Sequence, residues 1–407
     1  MGSVWQIIVL LIFLSQKITP SPLIITPLLH ILFLHRIYEA IAMTADVLLS
    51  ELEARDNKKV GLVTLNAQKA LNALNPSMIE QMHQALTQWQ DDPDIVAVFM
   101  QGSGEKAFCA GGDVRSLRQA VVDGQIESPA RFFEDEYRLD YLIHAYTKPV
   151  ICWGNGIVMG GGIGLMAGAD FRVVTDTSML AMPEISIGLY PDVAGSWLLS
   201  RMPAGIGLFM GLTACRLNAA DAIYVGLANR FIDQAFRENV LASLSQADWN
   251  AQEAHKVVYA ILQEYREKST GWLPYSKVRE HRDLIAGLMD RSSLAEVMEG
   301  LENLKTDDEW LQAARKTALR GSPLSAAICR RQLTSARHMS LKEVFQSELV
   351  LSVNTVLKGD FCEGVRSVLV DKDHKPQWKF ADASKVNSEL LDEIFTSPWA
   401  ENPLSDL

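Results

Sequence analysis

Four glycines crowd into the six residues Met159-Gly160-Gly161-Gly162-Ile163-Gly164, directly after the strand-like stretch Pro149 to Val158. A strand-like run that ends in glycines and continues into an apolar helix start reads as a strand-to-helix turn, where small residues permit close backbone approach. Such a turn leaves the first helical N–H groups without partners and aims them, with the positive helix end, at one point. A developing oxyanion suits that point. Ala110-Gly111-Gly112-Asp113 follows the same logic earlier in the chain, with Asp113 placed to cap a helix beginning at Val114. Further on, MPEISIGLYPDVAGSW (182–197) holds two carboxylates, Glu184 and Asp192, eight positions apart. Taken singly, each would be an ordinary loop or turn residue. Together with bare N–H groups they suit acyl-transfer chemistry.

The remaining pattern is that of an α/β chain. Val60 to Leu65, Ile95 to Met100, Pro149 to Trp153 and Phe171 to Val174 read as buried strands. Asn75-Pro76 supplies a helix cap with proline at the first helical position, and Met78, Ile79, Met82, Leu86 and Trp89 follow at helical spacing. Beyond about residue 200 strand signals fade, and segments such as Ser293 to Asn303, Leu324 to Ala336 and Leu341 to Lys358 read as helices. We therefore expect an α/β core over 43–235 that holds the site, and a helical region over 236–407. Residues 1–42 differ from both. Their apolar runs, Trp5 to Leu14 and Leu28 to Leu34, fall short of the ~20 residues a membrane helix needs, and only Lys17 and Arg36 are basic. They read as an extension outside the working protein, with Met43 as its start, the alternative being an anchor or signal segment.

Other chemistries find little support. A formal net charge of −11 without a long basic run argues against nucleic acid or an anionic membrane surface as the partner. Five cysteines, odd in number and free of any CxxC pair, fit reduced thiols rather than disulfides or a zinc site. Cys109 has no histidine in any nearby motif and reads as a small buried filler. The chain lacks a G-x-S-x-G elbow and an H-E-x-x-H helix, so neither a serine triad nor a metal is invoked.

The segments KAFCAGGD (106–113), MGGGIGL (159–165) and MPEISIGLYPDVAG (182–195) resemble the signature of the crotonase superfamily, and KALNAL (69–74) resembles its acyl-CoA-binding start. The body from Val47 to Trp378 is similar to the branch that hydrolyses 3-hydroxyisobutyryl-CoA, including LTACRL (212–217) and FCEGVR (361–366). The resemblance implies a crotonase-like spiral of ββα units with a helical C-terminal region. It also implies an acyl-CoA substrate with no separate cofactor or metal, and an oxyanion hole from the amides of Gly112 and Gly161. Glu184 and Asp192 would be catalytic, Glu184 as nucleophile or as general base. Glu136, in FFEDEYRLDYLI (132–143), would hold the 3-hydroxyl. The aromatics of that segment, Phe132, Phe133, Tyr137 and Tyr141, read as a core-facing helix stripe.

Hydratases of the superfamily carry a glutamate where this chain has Gly164, and glycine where it has Asp192. Ala194 stands where relatives often have glycine, which bears on the local loop shape. The expectation is thioester hydrolysis in valine breakdown, in the cytoplasm, or in the mitochondrial matrix if the source is eukaryotic. A hydratase or isomerase of the same fold and a non-catalytic acyl-CoA-binding protein are the alternatives. A homo-oligomer is left open.

Overall fold

A mostly parallel sheet and a smaller parallel sheet are built alternately by the same run of chain. The computed structural model describes residues 45–407; the N-terminal extension and Met43 lie outside them. The larger sheet has six strands in the order β1 (Val47–Glu53), β2 (Lys59–Leu65), β3 (Ile95–Gly102), β5 (Val150–Gly154), β7 (Phe171–Val174) and β9 (Arg230–Phe231). Only the β1–β2 pair is antiparallel. The smaller sheet is fully parallel and consists of β4 (Ala107–Cys109), β6 (Ile157–Met159) and β8 (Met179–Ala181). Each of β3, β5 and β7 is followed at once by its partner in the second sheet, then by a helix or a 3-10 turn. This is the expected spiral of ββα units.

The four long buried strands fall where the apolar runs place them. Along β3, Val98 and Met100 join the main core, while Ala97 and Phe99 join a second cluster with Ile151, Trp153 and Val173. Successive strand residues point to opposite faces, so a strand buried on both sides reads as an unbroken apolar run. One face packs on α1 (Pro76–Asp91), whose Asn75 cap accepts from the Met78 amide at 2.9 Å. The other face is covered by Val240, Leu244, Val258 and Leu262 of two later helices.

Two strands of the larger sheet lie outside the expectation. β1 contributes mostly exposed or half-buried residues and pairs at the sheet edge through Lys59 and Glu51, 2.7 Å apart, so it lacks the apolar run that marked the others. β9 is a two-residue strand past residue 200, too short to carry a pattern. After Phe231 every further element among the described residues is helical. The main core nevertheless runs unbroken from Val47 to Leu404.

Candidate active site

The pairing of the small sheet places the two glycine turns side by side. Cys109 of β4 pairs with Val158 of β6, and Met159 of β6 pairs with Ala181 of β8. The turns leading to α2 (Val114–Val122) and α4 (Gly161–Ala167) therefore stack, and the residues just after β8 join them. Gly111, with φ +113°, and Gly160, with φ +49° and ψ −125°, adopt backbone that glycine takes without strain. A Cβ on Gly111 would lie 3.8 Å from Gly160 Cα and 3.9 Å from the Gly161 nitrogen. Among the described residues, nothing accepts a hydrogen bond from the amide of Gly112 or of Gly161. Asp113 caps α2 as expected, accepting from the Ser116 amide at 3.2 Å.

Glu184 opens a 3-10 turn directly after β8 and Pro183. Its Oε1 sits 3.3 Å from the place a Gly160 Cβ would take, so the carboxyl adjoins the paired turns. Glu184 is 4% exposed and its Oε2 has no hydrogen-bond partner. Burial first, then the charge of Asp192, push this carboxyl well above the usual carboxylate range. A carboxyl shifted by burial and a neighbouring charge, beside unpartnered amides in a cavity, is a candidate for acid–base or nucleophilic chemistry.

Asp192 lies in a loop held by residues far away in sequence. The Tyr137 hydroxyl donates to its Oδ2 at 2.7 Å, and that hydroxyl is itself 2.7 Å from Ser352 Oγ. Ser352 sits on α7 (Leu341–Lys358; α5 is Gly195–Ser200 and α6 Pro323–Ala336) and also meets the Tyr190 hydroxyl at 3.0 Å. Burial raises Asp192 to about 6, opposed by the Tyr137 hydroxyl, its own backbone and Ser352. The next residues, Val193 (φ +52°) and Ala194 (φ +63°), are both left-handed. That conformation is an outlier for a β-branched residue and costs on the order of 1 kcal/mol or more at each position. The buried Glu348 carboxylate of α7 holds it by accepting from the Ala194 amide at 2.8 Å and the Ser196 amide at 2.9 Å. Glycine would suit position 194 better; alanine is tolerated because this clamp is present.

A cavity of about 210 Å³ brings the expected residues together: Gly112, Glu136, Gly161, Glu184 and Asp192 all line it. Glu136 projects from α3 (Glu127–His144), with its buried Oε1 unpartnered and its carboxyl raised by burial and by Asp192. Its Oε1 is 3.9 Å from where a Gly112 Cβ would stand, and it would collide with any Cβ on Gly161. Three of the aromatics are buried, but their surroundings differ from a plain core stripe: Phe132 and Phe133 line the cavity and Tyr137 holds Asp192. Tyr141 is only half-buried. Val368 and Leu369 complete the wall from the C-terminal region, just past α8 (Phe361–Val365). There, Gly364 packs against the Ile187 backbone and Gly188 against that of Asp360, so the FCEGVR segment braces the Glu184 turn.

Sequence reasoning missed Tyr137, Asp140, Glu348 and Ser352. Tyr137 and Asp140 were within reach, one and four positions after Glu136 on the same helix. Glu348 and Ser352 gave no signal, because polar residues inside a helix read as its solvent face. Among the described residues no Lys, Arg or His lines the cavity, so there its carboxyls are buried without a counter-cation. A larger cavity of about 280 Å³ lies elsewhere, between α5 and α6, and contains none of these residues. Glu280, His281 and Asp308 offer ligand atoms within 4.8 Å of one another. Lys277 already lies 2.8 Å from Asp308 there.

Known proteins give the geometry a family. The model of the enoyl-CoA hydratase/isomerase family matches residues 60–395. The 3-hydroxyisobutyryl-CoA hydrolase of Danio rerio is 38% identical over 342 residues, which is 83% of this chain and 87% of that protein. The Homo sapiens protein of the same name is 37% identical over 343 residues, 83% and 86% of the two chains; both names carry the word mitochondrial. Among solved structures, a carnitinyl-CoA dehydratase from Mycobacterium thermoresistibile has a TM-score of 0.78 at 31% identity, covering 89% of this chain and all of that one. An enoyl-CoA hydratase from Rhodobacter sphaeroides has a TM-score of 0.75 at 31% identity, covering 87% and 98%. The stacked glycine turns, the Glu184 turn and the C-terminal helices thus lie within one matched span, and the chain belongs to the enoyl-CoA hydratase/isomerase family.

Proposed function

We propose that this chain hydrolyses short 3-hydroxyacyl-CoA thioesters, with 3-hydroxyisobutyryl-CoA the leading substrate. The observation that carries the reading is the meeting of two unused amides, Gly112 and Gly161, with Glu184 and Asp192 in one cavity. The thioester oxygen takes the two N–H groups, whose hydrogen bonds strengthen as it gains charge. Glu184 then attacks the carbonyl carbon. The C–S bond breaks, CoA leaves as thiolate and takes up a proton, and water cleaves the resulting anhydride to free acid and Glu184. In the alternative course Glu184 removes a proton from water, which attacks the carbonyl directly. Asp192 orients Glu184 or the water, and Glu136 accepts from the 3-hydroxyl.

The names of the similar proteins support this substrate and the mitochondrial alternative; the place in valine breakdown follows from the resemblance. No helix among the described residues is long and apolar enough to cross a membrane. The likeness to a hydratase and a dehydratase keeps double-bond chemistry as the second reading. Thiol release from 3-hydroxyisobutyryl-CoA, measured beside hydration of crotonyl-CoA, decides between them. Fast hydration without thiol release overturns the hydrolase reading.

A further inference from the structure

The wall between α3 and α4 carries a carboxyl that the proposed reaction leaves unused. Glu136 and Asp140 stand one turn apart on α3, as Gly161 and Gly164 do on α4. The two pairs meet rung against rung. A Cβ on Gly161 would collide with Glu136 Oε1, and one on Gly164 would lie 2.6 Å from Asp140 Oδ2 and 2.8 Å from Val193 Cβ. Asp140 therefore occupies the room that a side chain at position 164 would need.

Asp140 is fully buried, and neither of its carboxyl oxygens has a hydrogen-bond partner. A carboxylate sealed in this way without donors is among the least favourable states of a buried group. The groups around it offer no relief. Glu136 lies on its own helix, Asp192 in the adjacent loop, Glu348 on α7 and the Cys109 thiol on β4. α4 contributes no titratable side chain. His144, one turn further along α3, is lowered to about 4 by burial and by Arg172 and stays neutral. Burial, then Glu136, Asp192 and Glu348, raise Asp140 well above the ordinary aspartate range.

We propose that Asp140 is a positioning residue, sealed in its protonated form behind the wall, that leaves Glu136 as the charged member of the two and so sets the charge with which Glu136 meets the 3-hydroxyl. This rests on the reading of the cavity as a 3-hydroxyacyl thioester site. The protonated Asp140 is the neutral member behind the wall, and Glu136 keeps the charge on the cavity side as acceptor. Loss of the Asp140 proton at alkaline pH places two charges one turn apart and weakens the grip on the hydroxyl. Apparent titrations belong to the pair rather than to either residue.

The test compares 3-hydroxyisobutyryl-CoA with isobutyryl-CoA, which lacks the hydroxyl, across pH. Asp140→Asn keeps the shape but has no acidic proton, and should abolish the alkaline limb of kcat/KM for the hydroxy ester. Asp140→Leu removes both polar atoms and should lower the preference for the hydroxy ester about tenfold, the scale of one charge-assisted hydrogen bond. The infrared band of protonated carboxyl groups, recorded without substrate, should lose intensity in Asp140→Asn. An unchanged band with an unchanged alkaline limb overturns the proposal, as does an equal loss on both esters in Asp140→Leu. If the wild type releases no thiol from either ester, the hydrolase reading fails, and the infrared comparison still decides whether Asp140 carries the proton.

Discussion

The wall made by the two glycine turns works with backbone, whereas the opposite wall works with side chains supported from a distance. On the first, Gly112 and Gly161 present amides set by the residues immediately before them, Gly111 and Gly160, and by the pairing of β4 with β6. On the second, Asp192 depends on Tyr137, 55 positions away, and its loop on Glu348, more than 150 positions away. The difference is one of electrical demand. An N–H donor awaiting an oxyanion is neutral, so it needs only room and orientation. A buried carboxyl without a cation must be held, hydrogen-bonded or protonated, and each requirement recruits another element.

The comparison breaks most visibly at Glu184. Glu184→Gln should lower thiol release by about 100 to 10,000-fold, the range of acid–base assistance, while binding of the CoA ester survives; titration of the variant with substrate checks the second half. On the backbone wall, Gly161→Val should cost on the order of 100 to 1000-fold in turnover, as for loss of one oxyanion donor. Its side chain also drives into Glu136, so circular dichroism must first show that the variant folds. Near-normal turnover would remove Gly161 from the site.

Glu348→Gln sharpens the comparison, because it tests support rather than chemistry. One amide at the Val193–Ser196 turn loses its carboxylate acceptor, and denaturant unfolding should show a loss of about 1 to 3 kcal/mol. Burial raises Glu348 to about 8 from 4.5. A carboxyl raised in the folded state contributes stability below its unfolded pKa that is lost as pH rises through its folded one. The wild-type melting temperature should therefore fall between about pH 4.5 and about pH 8, and more gently in the variant.

The smallest effect is expected at Tyr137. Its hydroxyl holds Asp192 down against burial, so Tyr137→Phe raises that carboxyl above its value of about 6. The acid limb of hydrolysis should move to higher pH. Asp192→Asn acts in the opposite sense on Glu184, since it removes the charge that raises it, and lowers the pH at which Glu184 ionises. If neither variant shifts the pH profile, Asp192 and Glu184 are not coupled in the reaction.

What could be read from the sequence alone is what depends on neighbours along the chain. Apolar runs gave the buried strands of the larger sheet. The Asn75 and Asp113 caps, the glycine turns and the Pro-Glu turn are each complete within a few residues, and their backbone consequences are local. Glu136, Glu184 and Asp192 were placed by family motifs, and the cavity gathers all three. The tertiary structure alone decided how those carboxyls are sustained: the Tyr137–Ser352 hydroxyl chain, the Glu348 clamp on a left-handed Val193–Ala194 pair, and the Asp140 carboxyl against Gly164. The physical reason is that electrostatic partnership in a low-dielectric interior is set by separation in space, and a buried glutamate in the middle of α7 carries no mark in its own sequence of the loop it will meet.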